Sequence, residues 1–328
     1  MSDGRWRMQP RLPVDLDAAR QAAERIGGQI VRTPIRYIPS LDLWLKCENR
    51  QKTGSFKLRG ALNKVLSLSE GQAAKGVLAA SAGNHGLGVA YAARQRGVRA
   101  TVVVPAEAVR VKVEAIRALG AMVVEVPGGY AAAEAEGLRR ASAGEATWVS
   151  PYNDLAVIAG QATVGLEIAE DLGWGQTGSE WRLYVPASGG GLICGIGLAV
   201  KALAPEVKVI GVQAAAAPYL YAHLRGEDMS QVQERPTIAD GLAGAVESGS
   251  VTLQLLPALV DAIELVEERE IEDAVVWADR VASEIVEPSA AVALAAALAD
   301  RGGGRRVVVL SGGNIEPSLL ERLRESRA

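Results

Sequence analysis

Cysteine and histidine are nearly missing, with two of each in 328 residues, and the scarcity removes whole classes of chemistry. Cys47 and Cys194 sit in apolar contexts without metal-ligand spacing, so they read as buried thiols of a reducing compartment. A Ser-His-Asp hydrolase lacks its parts, because His85 and His223 are the only histidines and no G-x-S-x-G occurs. His223 reads as a satisfied structural residue. No Gly-Lys pair exists for a phosphate-binding P-loop. No clean G-x-G-x-x-G opens a helix either, since GGGLICGIG (189–197) misses the spacing, and a nicotinamide oxidoreductase is disfavoured.

Long apolar runs are also missing. None approaches a membrane span, and the N-terminal MSDGRWRMQPRLP has no apolar export core, so the expectation is a cytoplasmic protein with no membrane partner. A net charge of -3, with acids and bases mixed along the chain, gives nucleic acid no electrostatic footing. Hydrophobic residues at 49% against 22% charged describe a globular chain, long enough for two domains.

What is present is alternation. Asp15 can cap a helix that runs through Ile26 and stops at Gly27-Gly28. Leu43, Leu45 and Cys47 alternate as a short strand. Apolar runs then recur at 76–81, 100–105, 121–126, 147–151, 182–188, 207–213 and 306–312, with helical stretches between them. Such runs, bounded by Gly or Pro, indicate buried parallel strands. The expected fold class is α/β, with two open, mostly parallel twisted sheets and helices on both faces. Residues 76–149 read as a small inserted αβ domain, and 1–75 with 150–328 as the larger one.

Ligands of open α/β sheets lie beyond the carboxyl ends of strands, which selects the loops after Ala80, Ala187 and Leu310. The first is SAGNHG (81–86), the second ASGGGLICGIG (187–197), the third SGGN (311–314). Backbone N–H groups at a helix start suit a carboxylate or a phosphate. Ahead of all three stands KTGSFKLRGA (52–61), where Lys57 enters a helix between Phe56 and Leu58. A lysine with apolar neighbours loses hydration, which lowers its pKa and frees the amine as a nucleophile. Together these features describe a phosphorylated heteroaromatic cofactor held at both ends.

In this order, SFKLRGA, SAGNHG, SGGGL, TIADG (237–241), EPSAAVALAA (287–296) and SGGN, the chain resembles the serine/threonine dehydratases. These are pyridoxal 5'-phosphate enzymes of fold type II, the tryptophan synthase β class. The resemblance implies that Lys57 condenses with the cofactor aldehyde and later moves the Cα proton. It implies that Phe56 packs beside the cofactor, that Asn84 meets its 3-hydroxyl, and that Ser188, Gly189, Gly190, Gly191 and Leu192 hold its phosphate. Ser311 falls opposite the pyridine nitrogen, and Gly241 and Glu287 stand near the ring. Ser81, Ala82, Asn84 and His85 form the loop for the substrate carboxylate. The implied reaction is dehydration and deamination of a β-hydroxy amino acid such as L-threonine or L-serine, in a homodimer.

Departures from the family pattern sharpen the expectation. Ala82 occupies the position of the opposite-face serine base of serine racemases and cannot protonate that face, which favours elimination. Asn84-His85-Gly86 differs from the Asn-Thr-Gly loop of β-replacement enzymes. Gln213 and Tyr219 stand where metal-activated members carry acidic ligands, so no metal is expected. Leu87, Ser188 and Ala290 replace a glutamine and two glycines, and the short stretch after SGGN gives the expectation of no C-terminal regulatory domain. Hydroxyaspartate, phenylserine and a hydroxyectoine-pathway intermediate remain alternative substrates.

Overall fold

The computed structural model describes residues 12–175 and 180–326, so most of the N-terminal stretch read for targeting lies outside the described residues. The chain opens with α1 (Leu16–Ile26), β1 (Ile35–Ile38), β2 (Leu43–Lys46), α2 (Lys57–Leu66) and α3 (Glu70–Lys75). There follow β3 (Val77–Ala80), α4 (Asn84–Arg96), β4 (Ala100–Pro105), α5 (Arg110–Ala118), β5 (Met122–Val126), α6 (Tyr130–Ser142) and β6 (Thr147–Trp148). The second half runs α7 (Leu155–Asp171), β7 (Trp181–Pro186), α8 (Gly191–Leu203), β8 (Lys208–Ala214), α9 (Tyr219–Leu224) and α10 (Val251–Leu259). It ends with β9 (Ala262–Val266), α11 (Glu268–Arg280), α12 (Pro288–Ala299), β10 (Arg305–Val309) and α13 (Pro317–Ser326).

Local chemistry sets these boundaries. Asp15 accepts the Ala18 N–H at 3.0 Å and starts α1, as its position predicts. Ser69 and Gln72 close a reciprocal capping box on α3, and Asp154 caps α7. The runs at 147–151 and 306–312 yield shorter strands than expected, Thr147–Trp148 and Arg305–Val309. Cys47 also falls just beyond β2. Two strands escaped the sequence pattern. Both are edges, β1 between two prolines and β9 with Glu264 facing out, so neither shows a continuous apolar run.

Two sheets result. The larger has six strands in the order β1-β2-β10-β7-β8-β9, parallel except for β1. The smaller has four parallel strands in the order β5-β4-β3-β6. Apolar clusters cover both faces of each. Helix α2 packs Leu58, Ala61, Leu62 and Val65 into the core of the smaller sheet. Gly60 and Gly160 let α2 and α7 approach until a Cβ on Gly160 would lie 2.6 Å from the Gly60 Cα.

Strand order decides where the site lies. In the smaller sheet the chain winds from β3 to β4 to β5, then returns to the far side of β3. In the larger, β7 leads to β8 on one side while β10 lies on the other. Each is a switch point, where loops diverge and open a crevice. The loops after Ala80, Ala187 and Leu310 leave from these strands.

Candidate active site

Lys57 is the first residue of α2, behind a turn in which Gly54 has φ +75°. The preceding segment is stitched to the chain beyond β10. Asn49 N–H donates to Leu310 O at 2.9 Å, Phe56 N–H to Ser311 O at 3.0 Å, and Ser55 bridges Gly312. Lys57 and Ser311 are thereby held in adjacent strips of backbone.

The Lys57 amine lies deep in the cleft, with part of the side chain still open to it. Its Nζ donates to Pro151 O at 3.2 Å and lies 5.1 Å from the Phe56 ring centre. Burial pulls its pKa down to about 8, with Glu287 opposing. About a tenth of the cofactor-free protein then carries a neutral amine at pH 7, against roughly three in ten thousand for an ordinary lysine. Glu287 is displaced the other way. Burial raises it to about 7, and its bond from Asn84 offsets this only in part.

Asn84 opens α4, and its Nδ2 donates to Glu287 Oε1 at 2.7 Å. Ser81 turns the same loop by accepting the Gly83 N–H at 3.1 Å. Ala82 and Leu87 pack against the small-sheet core. Within the loop expected to receive the substrate carboxylate, the His85 side chain points inward. Its ring is buried, Nε2 lies 2.8 Å from Val149 O, and burial with nearby Lys57 drives its pKa down to about 3. It is a neutral structural imidazole, leaving only its backbone to face a ligand. The His223 ring meets Leu253 O at 3.1 Å and matches its structural reading.

Ser188, Gly189, Gly190, Gly191 and Leu192 form the turn from β7 into α8, with Gly190 at φ +88°. Thr252 Oγ1 donates to Gly189 O at 2.7 Å, and a Cβ on Gly190 would lie 2.8 Å from the Thr252 Cβ. A Cβ on Gly189 would overlap the Tyr152 ring, whose hydroxyl is fixed by the Glu247 N–H at 3.0 Å. The loop must therefore be glycine. The N–H groups of the first turn of α8 have no partner within the helix, and the helix dipole favours an anion there. Gly189→Ala should weaken phosphate-end binding: overpacking costs about 1–3 kcal/mol, which is roughly five- to 150-fold in cofactor affinity. Titrating cofactor into the folded apoprotein measures this, and an unchanged affinity would show that the loop yields.

Gly241 N–H donates to Ser289 Oγ at 3.0 Å, tying the TIADG turn to the start of α12. Gln213 and Tyr219 are occupied within the protein. The Gln213 amide oxygen accepts the Tyr221 N–H at 2.9 Å, and the Tyr219 hydroxyl donates to Glu234 at 2.9 Å.

Sequence reasoning missed a buried ionic cluster two residues beyond Lys57. Arg59 is fully buried and donates to both Glu48 oxygens, at 2.7 and 2.8 Å. It also reaches both Glu167 oxygens, at 2.7 and 2.9 Å, and Thr163 at 3.1 Å. Fully buried Lys46 completes the set with 2.6 Å to Glu167 and 2.7 Å to Thr33 O. Burial alone would raise the Glu167 carboxyl, yet Arg59 and Lys46 hold it below its usual value. The signal available was an arginine inside an otherwise small and apolar helical turn.

A dehydrated amine at the meeting of two switch points, with a glycine-lined helix start and a neutral serine hydroxyl nearby, defines an enzyme that works through a phosphorylated carbonyl cofactor. The donor set fits such a group, since amine, anion cradle and amide are each present. Residues 26–313 match the family of pyridoxal-phosphate dependent enzymes. An L-threonine ammonia-lyase of Thermotoga maritima is 41% identical over 94% of this chain and 78% of its own. A serine racemase of Dictyostelium discoideum is 37% identical over 96% and 99%. The solved maize serine racemase superposes with a TM-score of 0.85 at 32% identity, covering 96% of this chain and 98% of that one. The chain belongs to the pyridoxal-phosphate dependent enzymes of fold type II, within the serine/threonine dehydratase family.

Proposed function

We propose that this enzyme removes the β-hydroxyl and the amino group of L-threonine or L-serine, yielding a 2-oxo acid and ammonia. The observation that carries this reading is the Lys57 amine, lowered to about 8 inside the cleft that Asn84 and Ser311 share. It is supported by L-threonine ammonia-lyase relatives matched over nearly the whole chain. When bound, pyridoxal phosphate supplies an electron-withdrawing ring conjugated to the substrate nitrogen.

The chain's residues do the rest. The backbone N–H groups of Ser188 to Leu192 would hold the phosphate at the start of α8. The Asn84 amide would donate to the ring oxygen. The Ser311 hydroxyl would stand opposite the ring nitrogen of a bound cofactor and, unlike a carboxylate, could not keep it protonated, which would make the ring a milder electron sink. The loop of Ser81, Ala82, Asn84 and the His85 backbone receives the substrate carboxylate at the start of α4. The Lys57 Nζ takes the Cα proton, and the Pro151 carbonyl orients it. On the opposite face Ala82 offers no proton, so the chemistry runs to elimination rather than inversion. Phe56, Gly241 and Glu287 complete the walls about the ring.

The reading includes a cytoplasmic homodimer without nucleic-acid, membrane or metal partners, and a two-domain chain. A substrate panel of L-threonine, L-serine, hydroxyaspartate and phenylserine tests it, scored by ammonia, 2-oxo acid and D-enantiomer. Equal ammonia and 2-oxo acid from L-threonine or L-serine are expected, with little D-serine and no effect of a chelator. Silence of the cofactor-loaded protein toward every substrate would end the proposal.

A further inference from the structure

Asn84 is held from two sides, by Asn314 in the loop after β10 and by Glu287 at the start of α12. The Asn314 Nδ2 donates to Thr53 O at 2.9 Å and to Asn84 Oδ1 at 2.6 Å. The Asn84 Nδ2 in turn donates to Glu287 Oε1 at 2.7 Å. Both anchoring residues are fixed against glycine. Asn314 lies against Gly54, where a Cβ would stand 2.9 Å from the Asn314 Cγ, and the Glu287 carboxylate lies over Gly312. The Glu287 N–H also donates to Gly312 O at 3.1 Å.

The chemistry of the ends makes this chain directional. A backbone carbonyl only accepts, so the Asn314 atom facing Thr53 must be its nitrogen. That same nitrogen faces Asn84, so Asn84 must turn its oxygen toward it. The Asn84 nitrogen is then left for Glu287. Reversing the Asn84 amide would set two N–H₂ groups against each other, turn its oxygen toward the Glu287 carboxylate and forfeit both hydrogen bonds of a part-buried group. One N–H of the Asn84 amide remains uncommitted among the described residues.

We propose that Asn314 and Glu287 are positioning residues that lock the Asn84 amide with its N–H₂, not its oxygen, presented to the cofactor's phenolic oxygen. The proposal rests on the cofactor reading above. It also gives the chain a second task, because Asn84 starts a helix on the smaller sheet while Thr53, Glu287 and Asn314 are tied to the larger. The link therefore fastens the two sheets together across the cleft.

Apoprotein titrated with pyridoxal phosphate reads the lock without any substrate, through affinity and through the division of bound-cofactor absorption between visible and near-ultraviolet bands. Asn314→Ala and Glu287→Leu should each lower affinity by roughly tenfold, the equivalent of about one lost hydrogen bond. Each should also shift absorption toward the near-ultraviolet. Glu287→Gln keeps an accepting oxygen and should stay within about threefold of the parent. In an Asn84→Ala background, Asn314→Ala should cost little more, because it acts through Asn84.

Parental spectrum and affinity in Asn314→Ala or Glu287→Leu overturn the lock, as does a Glu287→Gln that fails like the leucine variant. An undiminished Asn314→Ala effect without Asn84 overturns it too. Should Asn314→Ala not fold, the Glu287 pair decides alone. A parent protein that takes up no cofactor strikes instead at the proposed function.

Discussion

Lys57→Ala is expected to lose at least about four orders of magnitude in turnover, together with the visible absorption of the bound cofactor. In the proposed function one side chain serves as covalent anchor and as base, and general-base catalysis alone contributes about a hundred- to ten-thousandfold. Reductive labelling gives a second measure: hydride reduction should fix cofactor to Lys57 of the parent and to no residue of the variant. Retained colour and turnover would refute the assignment. Loss of fold will not cause the effect. The Lys57 amine has a folded pKa of about 8 against 10.5 unfolded, so the unfolded chain binds more protons between those values. Stability of the cofactor-free parent should therefore rise with pH across that window, and the charged amine works against folding below it. Cofactor-free Lys57→Ala should then be at least as thermostable as the parent at pH 7, as expected where function is placed at the expense of stability.

Arg59→Leu is expected to cost about 3–5 kcal/mol, because removing one partner of a buried ion pair leaves the others uncompensated. Glu48 would lose its only cationic partner among the described residues, while Glu167 would keep Lys46. Urea unfolding of the apoprotein at pH 7 measures the loss. Adding Glu48→Gln should recover part of it by neutralising the stranded charge. A double variant no more stable than the single would mean that the damage comes from lost packing rather than from an orphaned carboxylate. Since α2 begins with Lys57, loosening this anchor should also broaden the amine's placement and lower turnover in whatever protein remains folded.

The parts legible in the sequence were those whose cause is local. Asp15 and its helix, the apolar parallel strands, and the glycine loops after β3, β7 and β10 follow from capping, burial on two faces and close backbone approach. The edge strands β1 and β9 were hidden because half-buried edges carry no continuous apolar run. The Arg59 cluster was hidden for another reason: its members come from 46, 48, 59 and 167, and only folding makes them neighbours. His85 shows the opposite limit. Its place in the loop was readable, but the direction of its ring depends on the carbonyl of Val149, a residue of the return from β6. Asn314 was visible as the end of SGGN, while its bond to Asn84 required two sheets to meet.

The position of β10 has a consequence for biosynthesis. This last strand of the chain is inserted between β2 and β7, in the middle of the larger sheet, and the residues just after it carry Ser311 and Asn314. The ribosome must therefore have extruded the chain through β10 before the centre of that sheet can close. A nascent chain that stops short of β10 has neither a finished sheet nor the loop that carries Ser311 and Asn314.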